Sequence, residues 1–250
     1  METDIIVYDV VDSTNTIIEE MAGEGAAEGA CVVAFAQTSG QGRSGRSFYS
    51  PPGGNLYMSF LLRPRNEDTG MLTVTAAVAT VEAIRSVFDI STGIKWVNDI
   101  IYNDRKVCGI IARAQNYSTD DMYVTVGMGI NIYESDDVPA DIKGRYGTLT
   151  GEKCPLDKEK TRKQSLKLAR TILDIFMGYY KNGFLNVMDK YRQNSVVIGR
   201  MVEYVQGEST KTAKVTGIDD DGSIMLDENG RISSYRDGEI RIRTADNLAL

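Results

Sequence analysis

The stretch Gly40-Gln41-Gly42-Arg43-Ser44-Gly45-Arg46, followed directly by Ser47-Phe48-Tyr49-Ser50-Pro51-Pro52-Gly53-Gly54, constrains the fold of this chain more than any other. Its glycines let the backbone turn tightly and approach a ligand closely. The spacing Gly40-x-Gly42-x-x-Gly45 satisfies the letter of a dinucleotide-binding fingerprint, but that fingerprint needs a helix to open at the glycines. A segment holding Pro51-Pro52-Gly53-Gly54 cannot open one. No Gly-Lys-Ser/Thr follows, which removes the P-loop as well. What remains is an excursion between two strands: apolar Ala30–Gln37 leads in, and Asn55–Leu62 returns to the core. Successive backbone N–H groups in such a loop form an anion-binding concavity, and Arg43 and Arg46 add forked donors. Two readings fit: a mobile loop that closes over phosphate or carboxylate, and a flexible surface loop with solvated arginines. The loop by itself does not separate them.

Composition removes other classes. The 250 residues include no histidine, so Ser-His-Asp triads, histidine general bases and histidine-ligated metals are excluded. A formal net charge of −7 argues against a nucleic-acid-binding surface. Cys31, Cys108 and Cys154 are widely spaced and odd in number, as expected of packed thiols in a reducing, cytoplasmic protein. No apolar run is expected to span a membrane, and the acidic N-terminus is not a signal peptide. At this length the chain is one large domain, or one domain and a smaller one.

Taken in order, Ile5–Val11 reads as a strand, and the segment to Met21 as a helix entered through Asp12-Ser13-Thr14-Asn15. Helix capping is the plain reading of that cluster; binding of a polar ligand group at the helix N-terminus is the other. Met71–Phe88, apolar nearly all round, predicts a helix buried against a sheet. Ile94–Tyr102 and Lys106–Ala112 read as strands joined by the Asn103-Asp104 turn. Lys95, Asn98, Asp99 and Lys106 interrupt this apolar context, and a simple Lys95–Asp99 ion pair at a sheet end is the structural explanation for two of them. Tyr123–Ile132 is a strand carrying Gly127 and Gly129, which mark either a bulge or the close approach of another group. Leu156–Tyr180 is an amphipathic helix with Asp157 as N-cap, and Phe184–Gln193 a shorter one. From Asn194 on, five short strands with hairpin turns at Asp220-Asp221-Gly222 and Asn229-Gly230 predict a small barrel. The expected class is α+β: a mixed β-sheet domain packed with helices over 1–193, then a small SH3-like β-barrel over 194–250.

Four sites recur in order: Asp12-Ser13-Thr14-Asn15, the Gly/Arg loop, Lys95-Trp96-Val97-Asn98-Asp99 with Lys106, and Gly127-x-Gly129-Ile130-Asn131. Together with Gly238-Glu239-Ile240 in the last segment, this resembles the biotin–protein ligases (biotin–[acetyl-CoA-carboxylase] ligases). The resemblance runs from about Asp12 to the end. It implies a two-step reaction. Biotin and ATP give biotinyl-5′-AMP and pyrophosphate, with Mg2+ accompanying the ATP. A lysine of a biotin carboxyl carrier protein or domain then takes the biotinyl group. With the first motif at residue 12, the expected form is one without an N-terminal DNA-binding domain and with no nucleic-acid partner. Family members are often dimers, so a homodimer is admitted.

Position by position, the resemblance places Ser13, Thr14, Asn15, Gln37 and Gly109 in the biotin pocket. Gly40, Gln41, Gly42 and Arg43 fall in the loop that closes over biotin and the adenylate. Arg46, Phe48, Asn98, Asp99 and Asn131 join Arg43 around the nucleotide. Lys106, Arg43 and Asp99 are the residues it assigns to catalysis, Lys106 beside the reacting carboxylate and phosphate oxygens. The chain departs from the family pattern at four positions. Gln41 replaces an arginine commonly found between the first two glycines, Phe48 a tryptophan, Val97 a proline and Cys108 a small residue. A lipoate–protein ligase would use the same adenylate logic, and a protein that holds biotin or a carrier domain without transferring it is the non-enzymatic alternative.

Overall fold

The computed structural model describes residues 5–64, 69–116 and 121–244. Its first part is built from β1 (Ile5–Tyr8), α1 (Thr14–Gly23), β2 (Cys31–Ala34), β3 (Leu56–Leu62), α2 (Thr69–Phe88), β4 (Gly93–Lys95), β5 (Asp99–Tyr102), β6 (Arg105–Gln115), β7 (Tyr123–Ile130), α3 (Lys158–Lys181) and α4 (Val187–Gln193). The strands form one seven-stranded mixed sheet in the order β1-β2-β3-β7-β6-β5-β4. β1 and β2 run parallel, and the remaining neighbours are antiparallel.

Alternation along the strands decides the layering. On β3, Leu56, Met58, Phe60 and Leu62 join one apolar cluster, whereas Leu61 joins another with Ile18, Ala22 and Val32. Side chains alternate across a strand, so the first set faces α2 and α3 and the second faces α1. α2 is buried against the sheet and α3, with Leu72, Ala76, Ala79, Ala83 and Ile84 fully inaccessible. Among the described residues it is also a helix long and apolar enough to cross a membrane. Here its apolar surface is spent on the core of the fold, the environment an all-round apolar helix requires. Asp157 caps α3 as expected, its side chain accepting from Lys160 N at 2.9 Å.

The expected single strand Ile94–Tyr102 is two strands. β4 and β5 form a tight antiparallel hairpin with Lys95 opposite Asp99, and Trp96-Val97-Asn98 makes the turn. Its anchors lie far away in sequence. Trp96 Nε1 donates to Gly222 O at 2.9 Å, Asn98 Nδ2 donates to Ile110 O at 2.7 Å, and Tyr191 OH donates to Val97 O at 3.0 Å. Tertiary contacts therefore override a sequence that reads as continuous strand. The Asn103-Asp104 turn is as expected, both residues adopting positive φ, 48° and 57°.

A second sheet follows, from β8 (Met201–Gln206), β9 (Ser209–Ile218), β10 (Ile224–Glu228), β11 (Arg231–Tyr235) and β12 (Arg241–Thr244). It is antiparallel throughout, in the order β11-β10-β9-β8-β12, and its inner face carries Val202, Tyr204, Val215, Ile224 and Leu226 in a small barrel-like arrangement. The mixed sheet with helices and this antiparallel sheet are the α+β architecture expected from the sequence. Arg192 Nε on α4, donating to Ile218 O at 2.7 Å, and the Trp96–Gly222 bond from the β4–β5 turn tie the first part of the fold to the second sheet.

Cys31 and Cys108 are wholly buried, and burial pushes the Cys31 thiol up to about 12 and the Cys108 thiol higher still. Cys154 is partly accessible. A thiol-directed chromogenic reagent at pH 8 is therefore expected to modify Cys154 alone in the native protein and all three cysteines after denaturation. Rapid native labelling of Cys31 or Cys108, read by mass spectrometry, contradicts this packing.

Candidate active site

The face of the large sheet that meets α1 carries small residues in register. Across β3, β7 and β6 the row Ser59–Gly127–Ile111 lies beside the row Tyr57–Gly129–Gly109, which Asp99 extends on β5. The glycines are required by what occupies their missing side-chain space. A Cβ at Gly127 would lie 2.2 Å from Asn15 Oδ1, one at Gly129 2.3 Å from Phe48 Cε1, and one at Gly109 2.9 Å from both Phe48 Cε2 and Lys106 Nζ. The result is a narrow slot on the sheet, lined by Thr14, Asn15, Gln37, Gln41, Phe48, Gly109 and Ile111 as well as Gly127 and Gly129.

One end of the slot is a polar network centred on Gln37 and Ser59. Gln37 Oε1 accepts from Thr14 N at 2.8 Å and from Thr14 Oγ1 at 3.1 Å, while Gln37 Nε2 donates to Ser50 Oγ at 3.0 Å. Ser59 Oγ lies 2.8 Å from Thr14 Oγ1 and 2.9 Å from Asn15 Oδ1. Ser13 has the extended backbone of an N-cap but makes no capping bond with its side chain. Its buried Oγ has no partner, so the capping reading of Asp12–Asn15 does not describe what that hydroxyl does. An orphaned buried hydroxyl beside a polar network fits the polar head of a ligand.

The other end is cationic. Lys106 Nζ lies 2.6 Å from Asp99 Oδ1 and 5.8 Å from the centre of the Phe48 ring. Arg43 donates to Asn98 Oδ1 at 2.7 Å and pairs with Asp237 of the second sheet. Arg46 is exposed, and its guanidinium is held below its ordinary range by burial and by Arg241, Arg43 and Arg145, with Asp99 opposing. Several cations thus converge on few carboxylates, an arrangement that an incoming polyanion relieves. The Gly/Arg loop folds into its own small hairpin, Phe48 N donating to Gly40 O at 2.8 Å and Gly42 N to Arg46 O at 2.7 Å. Arg43–Gly45 makes a single 3-10 turn at its tip. Gly40 is as constrained as the floor glycines, since a Cβ there would meet Ser50 Oγ at 2.4 Å.

Asn131 lies two residues beyond Gly129. Its Nδ2 donates to Gly147 O at 3.1 Å, while its buried Oδ1 has no partner. Such an acceptor fits an exocyclic amine. Of the residues expected to contact biotin, Thr14, Asn15, Gln37, Gln41 and Gly109 line the slot, while Ser13, Gly40, Gly42, Arg43 and Lys106 do not; of those expected around the nucleotide, Phe48 lines it and Asn131 does not. Ser59, Ile111, Arg113 and Asp237 belong to this surroundings but were not singled out by sequence. Ile111 and Arg113 follow Gly109 at period two, so strand register would have found them; Asp237 sits in a turn of the distant second sheet. Among the described residues no group of three or more His, Cys, Asp or Glu stands together to hold a metal ion.

A slot with a polar head site, an apolar middle and a cationic end beside a Gly/Arg loop is the site of an enzyme class that activates a small carboxylic acid. The profile of the Biotin/lipoate A/B protein ligase family matches residues 7–131. The chain is 32% identical over 244 residues to the bifunctional ligase/repressor BirA of Bacillus spizizenii, covering 95% of this chain and 74% of that protein. It is 25% identical over 238 residues to the biotin–[acetyl-CoA-carboxylase] ligase of Mycobacterium tuberculosis, covering 91% and 85%. Its fold superposes on the biotin protein ligase from Aquifex aeolicus in complex with biotin and ATP, with TM-score 0.79, 27% identity and coverage of 98% and 100%. This chain belongs to the Biotin/lipoate A/B protein ligase family, as the sequence motifs had implied.

The floor itself is open to test. Gly127→Ala would drive Asn15 from its bond with Ser59, and overpacking of this kind costs about 1–3 kcal/mol. Urea unfolding is expected to show that loss in the midpoint with an unchanged slope; a midpoint equal to wild type shows that Asn15 gives way freely.

Proposed function

We propose that this chain is a biotin–protein ligase of the biotin–[acetyl-CoA-carboxylase] type. The observation that carries the reading is the glycine-floored slot, with its polar network at one end and Lys106, Arg43 and Asp99 at the other. Biotin lies with its ureido ring toward Ser13, Thr14, Asn15 and Gln37, and its valeryl chain along Phe48 and Ile111. Its carboxylate then reaches Lys106. The nucleophile is already ionised at neutral pH, so a chain without histidine lacks nothing for this step.

A carboxylate oxygen forms a bond to the α-phosphorus of ATP as the bond from that phosphorus to the bridging oxygen breaks, and pyrophosphate leaves. Charge on the transferring group spreads over its oxygens and is met by Lys106 and Arg43, with Arg46 at the rim. Asp99 holds the Lys106 ammonium in place. Asn98, bonded to both Arg43 and Ile110 O, fixes the guanidinium against the sheet. Asn131 Oδ1 takes the adenine amine, and Gly40 and Gly42 let the loop backbone lie close to the adenylate. Mg2+ enters on the ATP phosphates as part of the substrate. In the second step the ε-amine of a carrier-domain lysine forms a bond to the acyl carbon and loses a proton, while the acyl–oxygen bond breaks and AMP leaves.

The experiment is biotin-dependent exchange of labelled pyrophosphate into ATP, with lipoate as the parallel acid. Exchange with biotin alone is the expected result; exchange driven by lipoate alone, or biotin binding with no exchange, overturns the reading. Lys106→Ala is expected to slow exchange roughly 10²–10³-fold, the usual cost of one charge stabiliser. Near-normal exchange by that variant contradicts the role given to Lys106.

A further inference from the structure

Arg113 lies on β6, on the same face of the sheet as Gly109 and Ile111, and reaches out of the sheet to the Gly/Arg loop. Its guanidinium donates to Gln41 Oε1 and, more weakly, to Gly42 O at 3.4 Å. The other end of the Gln41 amide donates to Thr16 Oγ1 on α1 at 3.2 Å. Glu19, also on α1, faces Arg113 at 3.9 Å with a buried oxygen that has no hydrogen-bond partner. Gln41 is therefore gripped from a helix on one side and from a strand on the other, and it lines the slot. Arg113 does not line it, and its partners are Gln41, Gly42 and Glu19 rather than Lys106, Arg43 or Asp99.

Gln41 is also where the loop lacks the arginine common in the family. A guanidinium is present at this spot all the same, but it comes from the sheet. A loop arginine could donate but could not accept; glutamine offers Arg113 an acceptor. We propose that Arg113 is a positioning residue, a latch that holds the Gly40–Arg46 loop over the slot through Gln41 and Gly42 and so sets how long the adenylate is retained. This rests on the ligase reading above for its consequence, though not for the contact itself.

Two consequences separate a latch from a merely structural arginine. Restoring the family residue by Gln41→Arg is expected to be harmful, because two guanidinium groups then face each other and the acceptor is lost. Reversing the charge across the pair, Gln41→Arg with Arg113→Glu, is expected to repair it. Arg113 is partly exposed, its side chain 30% accessible, so Arg113→Met keeps the packed stem and removes the guanidinium with its charge and its bonds to Gln41 and Gly42.

The measurement is the release rate of labelled biotinyl-5′-AMP from the wild type, Arg113→Met, Gln41→Arg and the Gln41→Arg/Arg113→Glu double variant. Loss of one charge-assisted hydrogen bond predicts roughly tenfold faster release in each single variant and recovery to within about threefold of wild type in the double. Release from Arg113→Met within twofold of wild type, or a double variant no slower than Gln41→Arg, overturns the latch. A parallel assay needs no adenylate: trypsin nicking after Arg43 and Arg46 in the empty protein, wild type against Arg113→Met. Faster nicking of the variant supports the latch and equal nicking overturns it. A wild type that forms no adenylate but shows the nicking difference refutes the ligase reading and leaves the latch standing.

Discussion

The site depends on a steric constraint: at three positions on one face of a β-sheet a side chain fits only if a neighbour moves. Gly109, Gly127 and Gly129 face a helix residue, an aromatic ring and a lysine at distances no Cβ tolerates. Glycine weakens a strand interior, both by entropy and by lost packing. β7 accepts that cost because its opposite face is filled by Val124, Val126, Met128 and Ile130, and because β3 and β6 flank it along its whole length. The alternation of the strand lets one residue sequence be a packed core on one side and, on the other, a floor against which Asn15 and Phe48 close directly. The slot is thus a property of register, and a one-residue slip would bury the glycines and expose the core.

Electrostatics set the two ends apart. At the polar end, every atom of the Gln37 amide is engaged within the protein, so the network is rigid before any ligand arrives. At the cationic end the balance is different. Lys106 and Arg43 each have a carboxylate, whereas Arg46 is held below its ordinary range first by burial and then by Arg241, Arg43 and Arg145, with Asp99 opposing. Preorganised cations whose mutual repulsion is unrelieved gain most when a polyanion binds, and that gain is available to a transition state in which charge spreads over phosphoryl oxygens. A preformed head site and an electrostatically incomplete tail site are what an acid-activating enzyme needs, since the acid must be held while the phosphates are drawn in.

Much of this was legible in the sequence, for identifiable reasons. The Gly/Arg loop between two apolar strands, the buried α2 and the Asp157-capped α3 follow from local chemistry and periodicity, which tertiary structure here reinforces. The β4–β5 hairpin did not, because its turn is made by Trp96, Val97 and Asn98 reaching partners that are remote in sequence. The Asp12–Asn15 cluster has the composition of a helix cap, and Ser13 does occupy the N-cap, but its hydroxyl is unused. Composition predicts the backbone there and not the side chain. Arg113 and Asp237 escaped for a related reason: each acts on the loop from another element, and nothing near them in sequence marks that reach.

The same two residues give the loop a particular mechanical status. Its flanks are fixed, Gly40 by Phe48 and Ser50, and Gln37 by Thr14. Its tip is held by polar contacts: Gln41 and Gly42 to Arg113 on the large sheet, Arg43 to Asn98 and to Asp237 in a turn of the second sheet. Ion pairs at partly exposed sites are individually weak and exchange readily for other anions. Arg43 can therefore trade Asp237 for a phosphate at little cost, while the Arg113 contact, made to neutral groups, does not compete with the ligand. On the ligase reading proposed above, one side of the loop is thus tied by an interaction that a nucleotide would replace, and the other by one that it would leave intact. The second sheet, through Asp237, is in this way part of the site's charge balance although it contributes nothing to the slot's floor.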